Sequence, residues 1–206
     1  MNNHLEHFSN SFLSSSAQIM LQSSAVTGFL FLIGVGINSF TMLLGCVLAI
    51  LSSLAIAKLL EYDSDHVKKG FYGFNAALVG IAVFSFLPFS LISLTLVILG
   101  GALSALIMHM MMLKISCVPA LTAPFILTIW MIILLIDFLG VSIINQGEVV
   151  PPISASHTDL LYGVFRGLGQ VMLQGSWLSG VVFCCALLCS SYKAAIWGNN
   201  LALINN

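Results

Sequence analysis

The chain has 206 residues, of which 59% are apolar and only 6% carry a formal charge, and its net charge is −1. About 25% of the residues of an average soluble domain are charged, so this composition excludes a soluble globular protein and predicts an integral membrane protein. The lack of basic residues also excludes nucleic acid as a partner, because no basic face could neutralise its phosphates. The expected surroundings are the lipid bilayer of the cell (inner or plasma) membrane, with several passes of the chain.

The apolar runs alternate with polar segments along the chain. Residues 1–16 are expected to form a polar lead-in, and residues 17–37 and 40–60 are predicted as the first two spans, because roughly 20 apolar residues cross a bilayer. The next segment, residues 61–69, is the most charged of the chain and belongs in water or among headgroups. Three lysines in and beside this segment predict a cytoplasmic loop by the positive-inside tendency, with the N-terminus on the same side.

The following apolar segment, residues 70–87, is too short and irregular for an ordinary span. It begins near F-Y-G-F-N and is followed by Pro88. Segments of this kind enter a membrane part-way, and their free backbone groups then line a cavity, so a re-entrant half-helix is predicted. Two full spans follow, at 90–113 and from 118 to about 139, and one more lies within residues 163–192.

An internal repeat relates residues 18–31 to residues 170–183 at an offset of 152. The two segments share seven of fourteen residues, including both glutamines of Q-x-M-L-Q, which is too many for shared hydrophobicity alone. Membrane repeats commonly place a substrate site between two inverted halves near the midplane. The predicted fold is therefore an all-α multi-helix bundle with one full inverted-repeat unit, residues 17–160, and the start of a second, residues 161–206.

The titratable residues favour neither catalysis nor ion transport. Asp137 is the only acid within its apolar run, His109 is expected to be an interfacial histidine, and the five cysteines lack metal-ligand spacing. We therefore predict no catalytic residue, metal site or cofactor, and the sequence does not support an enzyme or a proton-coupled carrier. The remaining class is a path for an uncharged solute, which must keep its hydrogen bonds because an unpaired polar group costs roughly 2–7 kcal/mol in a dry environment.

Side chains from four segments could provide such a path. Gln22 and Gln174 carry amides, which offer both a donor and an acceptor. Thr122 lies between two prolines, whose missing N–H groups can leave carbonyls free as acceptors. Phe74 and Leu78 could narrow a slot for a flat molecule. For each of these residues, ordinary packing in the protein interior is the alternative explanation.

Two motifs give a more specific indication. V-P-A-L-T-A-P-F at residues 118–125 resembles the L-P-x-x-T-x-P-F signature of the urea transporter family, with Val118 in place of leucine. F-Y-G-F-N-A-A-L-V-G at residues 71–80 resembles the G-x-N-G-x-L-V-G segment of that family, with Ala76 in place of glycine. The Q-V-M-L-Q openings are also similar to its repeat starts, and the resemblance covers residues 17 to about 198.

The resemblance implies a passive urea channel of the bacterial type that needs no cofactor. It implies two related halves, each with five membrane helices and a re-entrant half-helix, assembled as a homotrimer. Gln22 would line a pore mouth, with Gln174 as its equivalent on the opposite side. Phe74 and Leu78 would help to form the slot, and Thr122 would lie beside the central constriction.

The sequence departs from the family pattern in its second half. The second re-entrant segment and the second proline motif are absent from the 206 residues, and a short polar tail stands where an apolar helix is expected. The second half is therefore expected to be truncated and the chain alone to conduct urea poorly. The alternative function is that of a non-conducting structural or assembly subunit, or an inactive remnant.

Overall fold

The structure is a computed structural model that describes residues 2–114, 120–141 and 157–190, with the backbone alone for residues 2–6 and 157–161. The regular structure in these ranges is helical, as predicted. A short 3₁₀ turn, Gln18–Met20, follows the first helix. The α-helices are α1 (Asn2–Ala17), α2 (Ala25–Asn38), α3 (Phe40–Leu59), α4 (Ser64–Lys68), α5 (Gly73–Phe86), α6 (Leu91–Lys114), α7 (Ala123–Phe138), α8 (His157–Gln170) and α9 (Trp177–Ser190).

Two helices in the described part of the chain are long and apolar enough to cross a membrane. They are α3, with 20 residues, and α6, with 24, and the bent pair of α1 and α2 would be a third if it counts as one span. At 1.5 Å per residue, α3 and α6 are about 30 and 36 Å long, enough for a hydrocarbon core of about 30 Å. The spans predicted at residues 40–60 and 90–113 are therefore confirmed as helices of spanning length.

The first predicted span, residues 17–37, is wrong as one continuous helix. The chain bends by 72° between α1 and α2. Leu21 at the bend has a left-handed backbone with φ 56°, and the Ser24 side chain caps α2 by accepting the N–H of Thr27. The sequence concealed this bend because leucine in an apolar run carries no turn signal.

The span predicted within residues 163–192 is broken in the same manner. Helix α8 ends at Gln170, Leu173 has a left-handed backbone with φ 58°, and α9 begins at Trp177. Leu173 is the counterpart of Leu21 at the offset of 152. The sequence repeat is therefore a repeat of a broken helix.

Each broken helix packs on itself through a glycine. Gly28 of α2 lies against the carbonyl of Leu13 in α1, and Gly180 of α9 lies against the carbonyl of Phe165 in α8. A Cβ at either glycine would overlap that carbonyl, and small residues allow helices to approach this closely. The glycine shared by the two repeats is thus required by their packing.

The two repeats meet along α2 and α9 in an antiparallel arrangement. Thr27 Oγ1 donates to the carbonyl of Ala186 at 3.3 Å, and its counterpart Ser179 donates through Oγ to the carbonyl of Gly34, the counterpart of Ala186, at 2.7 Å. Equivalent residues thus make reciprocal contacts, as they do across a two-fold axis. Because α2 and α9 are antiparallel, this two-fold axis is perpendicular to them. If the two helices run along the membrane normal, the axis lies in the membrane plane. An axis in that plane is the geometry of an inverted repeat.

Helix α5 forms the centre of the bundle. Its residues from Gly73 to Phe84 are all buried, and it runs antiparallel to α3. Gly80 lies against the backbone of Gly45 so closely that a Cβ would overlap it, whereas Gly73 lies beside Ile50. Since Ile50 is near the midpoint of α3, α5 begins about halfway along that helix and runs back towards its start.

Candidate functional site

Asn75 joins the start of α5 to the start of α7. Its side chain is fully buried. Its Nδ2 donates to the carbonyl of Leu121 at 3.0 Å, and its Oδ1 accepts the N–H of Phe125 at 3.2 Å. The two contacts bridge 46 and 50 residues of sequence, so one amide fixes the position of α5 relative to the N-terminus of α7.

This bridge places Thr122 near the start of α5, the helix that carries Phe74 and Leu78. Phe74 and Leu78 are on α5 and are buried, with exposed fractions of 6% and 5%. Phe74 belongs to a small apolar cluster with Met108, and Ala120 packs against that cluster. Thr122 directly precedes α7, so its backbone lies close to the α5 residues that flank Asn75.

Thr122 is exposed and has an irregular backbone around it. It occupies the N-cap position of α7 without a capping hydrogen bond from its side chain, and Leu121 before it has φ 42°. Among the described residues, its hydroxyl has no hydrogen-bond partner. Val118 and Pro119 of the proline motif lie outside the described residues, whereas Pro124 lies in the first turn of α7.

The two glutamines lie at opposite ends of α2. Gln22 comes shortly before that helix, and Ser176, two residues after Gln174, donates its N–H to Asn38 at the other end. Gln22 is 4% exposed; its Nε2 donates to the carbonyl of Met20 at 2.9 Å, and its Oε1 accepts the hydroxyl of Ser190 at 2.6 Å. Gln174 is fully buried, and its Nε2 donates to the carbonyl of Met172 at 2.6 Å. In both repeats the amide therefore braces the bend of its broken helix, which is a structural role that the sequence did not indicate.

The sequence matches one known family over nearly its whole length. The family model described as "Urea transporter" covers residues 9–203. The chain belongs to the urea transporter family. It is similar to Urea transporter 1 of Mus musculus and to that of Rattus norvegicus, with 30% identity to each over 194 residues, which cover 85% of this chain and 49% of the relative. The protein of the same name from Ovis aries is 28% identical with the same coverage.

This urea transporter family member spans about half the length of the curated relatives it matches. Members of the family transport a solute and do not convert it, so the chain is not an enzyme. Within the described residues, no three His, Cys, Asp or Glu side chains lie close enough together to hold a metal ion. The match to the family model confirms the resemblance to the urea transporter family that the two motifs indicated.

Two groups of polar contacts in this chain were not predicted from the sequence. One is the bridge of Asn75, which an amide inside an apolar run could have indicated, since a buried amide needs partners. The other surrounds His109, whose ring stacks on Tyr62 at 3.7 Å and whose Nδ1 is 3.3 Å from the hydroxyl of Tyr72. His109 therefore lies in an aromatic cluster that ties α6 to the start of α5.

The electrostatics outside the membrane-spanning segments are those of a solvated loop. Asp63 caps α4 by accepting the N–H groups of Asp65 and His66, and these hydrogen bonds lower the pKa of its carboxyl. Lys68 forms an exposed ion pair with Asp65 at 3.6 Å. A cleft beside this loop, between α1, α3 and α4, is lined by none of the predicted site residues.

Proposed function

We propose that this protein provides a passive, cofactor-free path for urea, with its narrow part between α5 and the start of α7. Phe74 and Leu78 are assigned to the walls of the slot and Thr122 to the constriction. The observation that carries the proposal is the Asn75 bridge, which holds these two elements together. The names of the relatives, Urea transporter 1, supply the solute.

The chemistry of urea suits such a path. Urea is planar, with four N–H donors and one carbonyl acceptor, so a flat apolar slot beside oxygen acceptors can replace its water shell. Thr122 offers a hydroxyl next to the non-helical backbone of Leu121, just before α7 begins. An ion would lose far more hydration than these neutral groups return, because a filter must replace the hydration shell of the ion it passes.

The depth of α5 supports its assignment as a re-entrant half-helix. Its 14 residues make about 21 Å of helix, short of a hydrocarbon core of about 30 Å. It begins beside Ile50, at the middle of α3, and its residues from Gly73 to Phe84 are buried. Backbone that ends part-way through a membrane is tolerated where protein surrounds it or where it lines a cavity.

The repeat organisation assigns the remaining parts. Residues 1–16 are the polar lead-in, and they also supply nearly all of α1, the first half of the broken helix of the first repeat. Residues 17–160 are the rest of the first membrane repeat, and residues 161–206 are the start of the second. Gln22 and Gln174 are assigned to the two sides of the path, which agrees with their positions at opposite ends of α2. We further propose a multi-pass location in the cell (inner or plasma) membrane, surrounded by lipid, and a homotrimeric assembly.

Urea flux into liposomes that carry the purified protein tests the proposal. Stopped-flow light scattering should show urea entry that is saturable, inhibited by thiourea and faster than entry into protein-free liposomes. The rate should be lower than that of Urea transporter 1 of Mus musculus at equal protein content, because this chain spans about half the length of that relative. Entry no faster than into protein-free liposomes would favour the non-conducting alternative.

A matched pair of variants tests the assignment of Thr122. Thr122→Val removes the hydroxyl and should lower urea flux several-fold at equal protein content. Thr95→Val is the control, because the hydroxyl of Thr95 donates to the carbonyl of Leu91 within α6. Equal urea flux in the two variants would show that the Thr122 hydroxyl does not contribute to the path.

A further inference from the structure

The cleft between α1, α3 and α4 has the size of a small-molecule site. Its volume is about 660 Å³, within the range of roughly 300–1,000 Å³ that is usual for ligand sites. Its walls are mainly apolar and include Phe8, Leu51, Leu54 and Val67. A ligand that fills it must therefore carry a substantial apolar part.

The cleft extends from the apolar part of α3 to its polar end. Leu51 lines it near the middle of the helix, and Lys58 lines it in the last turn. These positions are about two helical turns apart, or roughly 10 Å. Since α3 is long and apolar enough to span the membrane, the cleft passes from hydrocarbon depth to headgroup depth. Its ligand should have an apolar chain and a polar head.

Charges of both signs lie at the polar end of the cleft. Lys58 and Lys68 contribute ammonium groups, and Glu61 contributes a carboxylate. Neither Lys58 nor Glu61 forms an ion pair within the described residues, whereas Lys68 is paired with Asp65. A head that carries one negative and one positive group complements this arrangement better than a simple anion does, since like charges repel.

The wall on this side is held in place by aromatic contacts. Tyr62 lines the cleft, and its ring stacks on His109 of α6 at 3.7 Å with an angle of 7° between the planes. It also lies 4.9 Å from the ring of Tyr72. A wall fixed in advance lowers the ordering cost of binding.

We propose that the cleft binds a phospholipid of the surrounding bilayer with a phosphoethanolamine head. Its primary ammonium can donate hydrogen bonds to the carboxylate of Glu61, whereas the quaternary ammonium of a phosphocholine head has no N–H to donate. The lipid phosphate lies at Lys58, its ammonium group lies at Glu61, and one acyl chain follows the apolar wall along α3. The proposal is independent of the urea path, because none of the residues assigned to that path lines the cleft.

Native mass spectrometry of the protein released from lipid nanodiscs tests the proposal. The nanodiscs contain equal parts of phosphatidylethanolamine, phosphatidylcholine and phosphatidylglycerol. The parent protein should retain phosphatidylethanolamine in preference to the other two. Lys58→Ala should lower the retained fraction several-fold, whereas Lys114→Ala, which removes the lysine in the last turn of α6, should not. Equal retention in the two variants would overturn the proposal.

Two further variants separate the acyl and head contributions. Ala55→Trp fills the cleft and should abolish retention, whereas Leu99→Trp, at an exposed position of α6, should leave it unchanged. Glu61→Lys should shift the preference from phosphatidylethanolamine to phosphatidylglycerol. Such a shift is a gain of binding that misfolding could not produce. An unchanged preference would overturn the headgroup assignment, and binding of soluble glycerophosphoethanolamine at equal strength would overturn the role of the acyl chain.

Discussion

At the scale of single residues, Asn75 connects the sequence to the candidate path most directly. It is the polar member of the F-Y-G-F-N motif, and its amide satisfies one backbone acceptor and one backbone donor of a distant segment. A buried backbone group that loses its partner costs about 1–3 kcal/mol. The conformation of the chain around Leu121 therefore depends on this side chain.

Asn75→Ala should lower the stability of the protein, because it leaves the carbonyl of Leu121 and the N–H of Phe125 without their partner. The cost should be about 2–6 kcal/mol for the two groups together. The measurement is the apparent Tm in detergent at one fixed heating rate, since unfolding of membrane proteins is often irreversible.

Ser85→Ala is the control for this variant. Ser85 is also on α5, but its hydroxyl bonds only to the carbonyl of Ile81 within the same helix. Its loss should therefore change the apparent Tm little. If Asn75→Ala and Ser85→Ala had the same apparent Tm, the bridge would not be holding α5 against α7.

At the scale of elements, α5 owes its central position to close helix contacts. Gly80 and Gly45 bring the backbones of α5 and α3 together. Gly100 of α6 also packs against Val79 of α5, and Gly101 packs against Ala49 of α3. Association of helices in lipid depends on such close packing, because lipid is as apolar as the side chains themselves.

Gly80→Ala should destabilise the bundle, because the added methyl would overlap the backbone of Gly45, which cannot move aside without shifting a helix. Overpacking of this kind costs about 1–3 kcal/mol. The control is Gly36→Ala on α2, where the new methyl would meet only the flexible side chain of Leu43. If the apparent Tm of Gly36→Ala were lower than that of Gly80→Ala, the result would contradict the close contact between α3 and α5.

The reciprocal contacts of α2 and α9 allow a test of the inverted repeat. Thr27→Val and Ser179→Ala each remove one of two equivalent interhelical hydrogen bonds, so each should cost about 0.5–1.5 kcal/mol. Ser104→Ala is the control, because its hydroxyl bonds within α6. Apparent Tm values that fall for one of the pair and not for the other would argue against equivalence.

At the scale of the whole molecule, the two ends of the bundle differ in charge. The segment 61–69 lies at one end, and the turn with Phe89 that precedes α6 lies at the other. Tyr62 stacks on His109, near the C-terminal end of α6, so about 30 Å of helix separates the two sites. The positive-inside tendency assigns the end with segment 61–69 to the cytoplasm.

Cysteine labelling in intact cells tests this orientation. Asp65 and Phe89 are both exposed, so cysteines there should be accessible to reagents in water. In a background without the natural cysteines, a membrane-impermeant thiol reagent should label Phe89→Cys and leave Asp65→Cys unlabelled until the cells are opened. If both cysteines were labelled from outside, the result would contradict the placement of the two sites at opposite ends of the bundle. If only Asp65→Cys were labelled from outside, the result would contradict the orientation in the membrane and leave the fold unaffected.

The sequence by itself determined the class, the family and two of the five predicted full spans, those of α3 and α6. These properties follow from features that are local in the chain: apolar runs as long as a bilayer is thick, the V-P-A-L-T-A-P-F motif and the shared Q-x-M-L-Q segments. Hydrophobicity alone can indicate a membrane span because the bilayer acts on each segment independently of the rest of the fold.

Only the tertiary structure decided where the helices break and which residues meet. Leu21 and Leu173 are ordinary apolar residues in sequence, yet both have left-handed backbones at the bends of the broken helices. The two halves of each broken helix then pack closely at Gly28 and Gly180. The bridge from Asn75 likewise joins segments about 50 residues apart. Contacts of this kind depend on how distant segments pack together, and no local pattern of hydrophobicity encodes them.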